Sequence, residues 1–543
     1  MKFLKVVLAS AMSVSLLAGC GGSSSSSSSK VFKVAKLGDI MTLDSTQAYD
    51  TTSIECIHMM NEGLMGVDAK GNMVKMFAKS YKESKDGKHW TFKLRDGLKW
   101  TDTKGKTYPL KASDFVYSWR KGLKGEYNYI ISDDGAGIKN ATKIINKGTK
   151  ATAKDYASLG IKAPDDKTLK ITLERPCPYF LDLMTYSVFY PQCEEFVEKA
   201  GKNYANDTDH LISCGAFIPT SWTKSSQITF KKNKNYYNAK IMKIDGVQYL
   251  LGQDVKAASA SFASGKIDFT AINSSLVDKY KNTKDYRVDK MGFVYYLNFN
   301  FTRKTMANKN IRAALSYAIN RDDFCKNILK DGSVKADGIV GRDMCFDPTN
   351  GKDFRDENGN FTNYDMKKAQ AYLNKGLKEL GKKSVTIQLL YSTNENPGPQ
   401  IAQYLQNAFS KLKGLKIDMK ATVRQGRIDL QAKKQFDMTI LNWGPDYNDP
   451  TTYLNIALSN NSNNRGFYKN KKYDALLHKA AATTDKGARW KLLLKAEKMF
   501  NEDYVDVPLY QMSQSSLYNH EWKGLLYKNA MGAAYTYTYM YKA

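Results

Sequence analysis

Apolar residues recur along this chain with two periods, and the second half shows them most clearly. Ile311, Ala314, Leu315, Ala318 and Ile319 fall at i, i+3, i+4, i+7 and i+8, which predicts an amphipathic helix over 308–320. Residues 363–380 repeat the pattern. Residues 384–391 form an apolar, β-branched run, 400–413 read as a helix, and 416–423 alternate through Ile417, Met419, Ala421 and Val423. Strand, helix and strand in that order make a βαβ crossover. Residues 436–443 read as a largely buried strand that runs straight into Gly444-Pro445-Asp446-Tyr447-Asn448-Asp449-Pro450. In open α/β sheets ligands collect beyond the carboxyl ends of strands, so this loop is the first place to look for a site.

The first half carries shorter signals. Val31, Lys33, Val34, Lys36 and Leu37 read as a strand ending at Gly38-Asp39. A helix over 52–65 follows, capped by its Thr/Ser cluster. Residues 90–95 alternate, and Asp96-Gly97 predicts a β-hairpin into Leu98-Lys99-Trp100. Ser113 is expected to N-cap a helix presenting Phe115, Val116 and Trp119, and 168–173 form a strand between Pro164 and Pro176. Near the C-terminus, Tyr535, Tyr537, Tyr539 and Tyr541 are spaced to share one face of a last strand.

Composition sets the class. With 543 residues, 42% apolar and 25% charged, the chain predicts about three or four compact lobes. A net charge of +28 raises nucleic acid as a partner, but the N-terminus argues against it. Lys2 and Lys5 precede an apolar run from Val6 to Leu17 and a small-residue end, Leu17-Ala18-Gly19-Cys20. That is an export signal, residues 1–19, too short to span a membrane. Gly21, Gly22 and the seven serines to Ser29 make 20–30 a tether with a reach of about 15–18 Å. Removing Lys2 and Lys5 leaves 28 − 2 = +26 outside the cytoplasm, where nucleic acid is not an expected ligand.

Cys56, Cys177, Cys193, Cys214, Cys325 and Cys345 remain, and in an exported chain they form up to three disulfides or stand as buried thiols. The histidines (His58, His89, His210, His478 and His520) are scattered and no His-Glu-x-x-His occurs, so neither metal nor cofactor is expected. No Gly-x-Ser-x-Gly, P-loop or Gly-x-Gly-x-x-Gly follows a strand, and nothing supports an enzyme.

Several blocks in fixed order resemble the solute-binding proteins of oligopeptide and dipeptide ABC importers, the bacterial extracellular solute-binding protein family 5. Leu17-Ala18-Gly19-Cys20 resembles a lipobox, which makes Cys20 the lipidated residue. Leu43-Asp44, Glu62-Gly63-Leu64, Thr91-Phe-Lys-Leu-Arg-Asp-Gly-Leu-Lys-Trp100 and Lys111-Ala-Ser-Asp-Phe-Val-Tyr-Ser-Trp119 follow the family pattern. So do Pro178-Tyr179-Phe180, Lys232-Asn233-Lys234-Asn235-Tyr236-Tyr237, Asn310-Ile-Arg-Ala-Ala-Leu-Ser-Tyr-Ala-Ile-Asn-Arg321 and Val507-Pro-Leu-Tyr510. Cys214-Gly215-Ala216-Phe217 stands where Asn-Gly-Pro-Phe is usual.

The resemblance implies an α/β, periplasmic-binding-protein-like fold of two hinged lobes with an extra inserted lobe. Lobe I would combine 31–68, 190–290 and 512–543, the inserted lobe 69–189, and lobe III 291–511, with hinges near 290 and 511. It further implies a monomeric, lipid-anchored receptor on the extracytoplasmic face of the cell membrane, delivering peptides to an ABC permease and its ATPases. Trp443-Gly444-Pro445-Asp446-Tyr447 resembles the family's Trp-x-x-Asp-Tyr, whose Asp pairs with the peptide α-ammonium. The competing reading makes Asp446 a turn cap. Trp443 and Tyr447 would wall the cleft or pack in the core, and Tyr127, Tyr295 and Tyr510 align loosely with cleft-facing positions. No Arg or Lys lies in 436–442 to hold a peptide carboxylate. Either that end is free or Arg427, Lys433 or Lys434 substitutes. Other readings keep the fold and change the solute to an oligosaccharide, opine or metal chelate, or make the chain a surface adhesion or signalling lipoprotein that uses its charge.

Overall fold

The computed structural model describes residues 30–133, 135–395, 397–527 and 535–543. The export signal, Cys20 and the tether through Ser29 lie outside the described residues. Among the described residues, no helix is long and apolar enough to cross a membrane.

An 11-stranded sheet runs through the molecule. At one end Phe217–Thr223, Gln227–Lys232, Gly246–Leu250, Val31–Ala35 and Phe269–Ala271 lie side by side, and at the other Met438–Trp443, Val385–Ser392 and Leu415–Thr422. Two long antiparallel strands, Tyr286–Phe299 and Asp506–Tyr518, join the halves. Their ladder is regular from Tyr286↔Leu517 to Lys290↔Ser513, then slips, resuming at Val294↔Gln511, with a second irregularity between Tyr295 and Tyr296. Such bulges bend a strand and locally increase its twist. Gln511 fills the first gap: its amide donates to the Met291 and Arg342 carbonyls, both at 2.9 Å, and its carbonyl accepts from Arg342 N at 2.8 Å.

The apolar residues sort into separate cores. Trp90, Phe92, Trp100, Phe115, Trp119, Phe180 and Phe189 pack together in the inserted segment, taking in Leu64, Met65 and Val67. Phe32, Val34, Ile54, Phe217, Phe230, Tyr249 and Tyr537 form a second core. Residues between Val294 and Tyr510 cover the two faces of the other half sheet. The 308–320 pattern forms the helix Lys309–Tyr317, with Asn308 Oδ1 accepting from Ile311 N at 3.1 Å. It packs on Met366–Glu379, where Gly376 leaves room for Ile311: a Cβ there would sit 2.7 Å from Ile311 Cδ1. Burying Ile311 and Leu315 fully stabilises this contact by about 1.5–3 kcal/mol each. Val385–Ser392, Gly398–Phe409 and Leu415–Thr422 form the expected parallel crossover.

Several local expectations are corrected. No hairpin forms at Asp96-Gly97: His89–Leu94 already has both edges paired, to Ala78–Glu83 and Thr168–Thr172, so Lys99–Asp102 joins another sheet. The helix expected over 52–65 is Thr51–Met60, capped by Asp50, whose carboxylate accepts from Ser53 N at 2.8 Å. It stops because Gly215 N takes the Met60 carbonyl and Met65–Val67 pairs with Met73–Lys75. Ser113 is not a cap. Helix Ala112–Gly122 is closed by Asp114, whose carboxylate reaches back to Lys111 N at 3.0 Å.

The C-terminal tyrosines do not share a strand, because the chain turns at Met540 N→Tyr537 O between Tyr535–Thr536 and Tyr541–Lys542. Tyr535 and Tyr537 are buried, whereas Tyr541 is exposed. All six cysteines are buried free thiols. Cys214 Sγ lies 3.7 Å from Asn61 Oδ1.

Candidate ligand-binding site

The strand Met438–Trp443 pairs antiparallel with Phe299 to Val294, so Trp443 lies opposite Val294, at the edge of the first bulge. The loop that follows is seated on the bulge. Gly444 lies against the Phe293 ring, with room for no Cβ, which would come within 2.4 Å of Phe293 Cε1. Pro445 covers Gly292 equally closely, and the Gly292 carbonyl accepts from Tyr453 OH at 2.6 Å. Gly292 and Gly444 thus leave room for the Pro445 and Phe293 rings, which brings the chain crossing and the loop together.

Two carboxylates in this loop are treated oppositely. Asp449 is buried; burial opposes its charge, but the Arg489 guanidinium donates to both its oxygens, at 2.7 and 2.9 Å, and holds its carboxyl below the usual range. Asp449 also accepts from Thr451 N and Oγ1 at 3.0 and 2.6 Å, so Asp449, not Asp446, caps the turn. Asp446 is half-buried, and its backbone N–H donates to Thr452 Oγ1 at 3.0 Å. Among the described residues its carboxylate makes no ion pair. Desolvation pushes it up to about 7, against one opposing contact, the Tyr129 hydroxyl, which lies 3.2 Å from each carboxylate oxygen. The void beside it is about 20 Å³, room for one water.

The inserted segment closes over this loop. Tyr179 stacks on Tyr447 with ring centroids 3.9 Å apart and planes 2° apart. Tyr127 stands one ring behind Tyr129, with centroids at 6.0 Å; it donates to the Tyr49 carbonyl at 3.3 Å and meets Tyr186 edge-on. Trp443 is half-buried, with its indole N–H 3.5 Å from Thr452 Oγ1. Trp443, Gly444, Pro445, Asp446, Tyr447 and, one ring away, Tyr127 therefore meet in one place. Tyr295 and Tyr510 stand apart as a cross-strand pair, stacked at 4.7 Å on the crossing strands, with Tyr510 buried against Phe324. Arg427 is committed elsewhere, to Ser392, Glu395 and Gln431. Tyr129 and Arg489 are absent from the residues picked out of the sequence, and Tyr179 stands there only in the Pro178-Tyr179-Phe180 block, with no site role. Tyr129 follows Tyr127 in the helical turn Asn128–Ile131, which carries the chain from Tyr127 onto Asp446.

Residues 72–465 match the family of bacterial extracellular solute-binding proteins, family 5 (middle). The chain belongs to this family. Family 5 is a family of solute-binding proteins and not of enzymes. Its relatives include a dipeptide-binding protein of Lactococcus lactis subsp. cremoris, 32% identical over 494 residues, which make up 88% of this chain and 87% of that one. The oligopeptide-binding protein OppA of Bacillus subtilis is 30% identical with the same coverage. Among solved structures, Listeria monocytogenes OppA bound to peptide superposes with a TM-score of 0.78 at 31% identity, covering 95% of this chain and 99% of that one. The periplasmic-binding-protein-like α/β fold is thereby established together with the family.

Proposed function

We propose that this family 5 protein binds peptides between its lobes and anchors the α-ammonium on Asp446. One observation carries the reading: a desolvated carboxylate with no ion-pair partner among the described residues, at the end of a sheet strand, in a fold whose relatives include dipeptide- and oligopeptide-binding proteins. An ammonium supplies the missing charge and three donors in a region where water competes poorly. Trp443 and Tyr447, with Tyr127 behind Tyr129, form the walls. A sugar has no charge to offer Asp446, which disfavours the oligosaccharide reading.

The lobes are residues 31–68, 190–290 and 512–543; 69–189; and 291–511. The separate cores and the bulged crossing strands support this division, with hinges near 290 and 511. Leu64, Met65 and Val67, at the end of the first segment, pack with the core of the inserted lobe. Closure is driven by ligand contacts available only when both lobes meet. The Leu-Ala-Gly-Cys20 ending and the serine tether support lipid anchoring on the extracytoplasmic face, with delivery of the peptide to an ABC permease.

Calorimetry with a mixed pool of short peptides and the same pool N-acetylated tests the reading. Saturable binding of the free-amine pool and loss of at least tenfold on acetylation is expected. Equal binding of both pools refutes the role of Asp446, and a saccharide or chelate co-purifying in place of peptide refutes the ligand class.

A further inference from the structure

We infer that the inserted segment carries a second, separate binding site: a groove for an acidic, amphipathic polypeptide segment of a partner protein. The groove has a volume of about 970 Å³ and runs between helix Ala112–Gly122 and the strand pair Ile161–Asp165 and Thr168–Thr172. Its apolar lining is Val116, Ile161, Ala163 and Pro164. Five cations line it, Arg120, Lys121, Lys124, Lys162 and Lys170, against two carboxylates, Glu194 and Glu198. Glu198 is occupied, accepting from Tyr117 OH at 2.6 Å, and Lys121 is paired with Asp44 at 2.8 Å.

The other four cations have no ion-pair partner among the described residues. Two features show that this is more than scattered surface charge. Lys162 and Lys170 stand directly opposite each other on adjacent strands, an arrangement that repels and weakens the pair. In addition, the Arg120 Nε–H is shielded from solvent and has no hydrogen-bond partner among the described residues, so this guanidinium has donor capacity to spare. The repulsion between Lys162 and Lys170 is relieved by carboxylates entering the groove, where hydrogen bonds to ionised groups are at their strongest.

The lining decides between anions. A phosphate polymer would satisfy the cations but set charge against Ala163 and Pro164, the accessible part of that lining. A peptide segment that alternates acidic and apolar side chains satisfies both. The site is independent of Asp446, which lies in the loop closed by Tyr129 and Tyr179 and shares no lining residue with the groove.

The probe is an N-acetylated, fluorescein-labelled 14-residue peptide of alternating Glu and Leu, followed by polarisation on the soluble chain from residue 30. Saturable binding is expected, weakened at least tenfold when the probe carries Gln for Glu, and weakened equally in K162E/K170E. Asp446→Asn should leave it unchanged. Lys170→Glu alone places opposite charges across the strands, so its Tm should rise while its affinity for the probe falls. That combination separates a binding role from damage to the fold. Absence of saturable binding, undiminished binding in K162E/K170E, or loss in Asp446→Asn would each overturn the proposal. So would tighter binding of poly(glycerol phosphate) than of the peptide, which would assign the groove to a phosphate polymer.

Discussion

Replacing Asp446 with Asn tests the site most directly, because it should make the empty protein more stable and the receptor useless. The amide keeps the shape and removes the charge. In the folded chain burial lifts the carboxyl to about 7, whereas unfolded it titrates near the ordinary 3.8. As pH rises from 4 to 7 the unfolded chain loses this proton first, so stability falls across that window and stays low above pH 7. A shift of about three units corresponds to an upper bound of about 4 kcal/mol. Asp446 keeps a solvent-accessible edge, so about half of that, ~2 kcal/mol, is the working figure. For a lobe of about 200 residues this raises Tm by roughly 4–8 °C at pH 8 and by little at pH 4. Binding moves the other way. Removing one partner of a buried charge pair costs about 2–5 kcal/mol, or about 30- to 4,000-fold in Kd. For the wild type, affinity for a free-amine peptide should fall about tenfold per pH unit below 7, because Asp446 must release a proton to pair, and Asp446→Asn should lose that slope. Calorimetry from pH 5.5 to 8, with thermal melts of the empty protein, reads both effects. A lower Tm for the empty variant at pH 8, or free-amine binding within threefold of wild type, would refute the reasoning.

Tyr129→Phe removes the hydroxyl that holds the Asp446 carboxylate in the empty site; peptide Kd should tighten by about fivefold, one net hydrogen bond of ~1 kcal/mol, and Asp446 should titrate above 7, read by carboxyl-carbon NMR. Asp449→Ala leaves the buried Arg489 guanidinium unpaired and should cost about 3–5 kcal/mol in denaturant unfolding, with Arg489→Met in the same chain restoring part of it. Gly292→Ala drives a methyl into Pro445 and displaces the loop, so affinity should drop at least tenfold in calorimetry while thiol accessibility stays native. On the soluble chain from residue 30, Ellman's reagent should find none of the six thiols until denaturant is added and all six afterwards.

What could be read from the sequence follows a physical line. The helix Lys309–Tyr317 and the crossover from Val385 to Thr422 were legible because a buried stripe or a buried run fixes its own period, whatever lies around it. The turn at Asp96-Gly97 was legible as a turn but not as a hairpin. Gly97 permits the positive φ of 71°, yet pairing depends on which edges are free, and His89–Leu94 had none. The cap of helix Ala112–Gly122 went to Asp114 and not Ser113 because a carboxylate three residues in reaches back to the Lys111 N–H. At the site, the loop was visible from its strand and its Trp-Gly-Pro-Asp-Tyr run, and so was Asp446. Tyr129 was not, since its role exists only once a segment 317 residues away folds over the loop.

The loop's two carboxylates show how one short segment both holds itself and offers a charge. Asp449 and Asp446 lie three residues apart, on one surface, covered by the same inserted segment. Environments that push neighbouring titratable groups in opposite directions assign them different work. Arg489 and Thr451 saturate Asp449, which fixes the turn and leaves it nothing to offer a ligand. That fixed turn lets Asp446 stand desolvated without a cation, since a flexible loop would swing it into water or protonate it at little cost. Tyr129 then gives the empty site a neutral, replaceable partner. On the proposed reading, a cationic ligand would displace a single hydroxyl and gain a charge pair, which concentrates the gain on binding on one contact between the inserted segment and the loop. The bulge at Gly292 lies directly beneath that loop, and Gln511 holds the gap in the crossing strands open. On the proposed reading, a shift of Pro445 on ligand entry would be passed to the crossing strands, and recognition and lobe movement would rest on the same few residues.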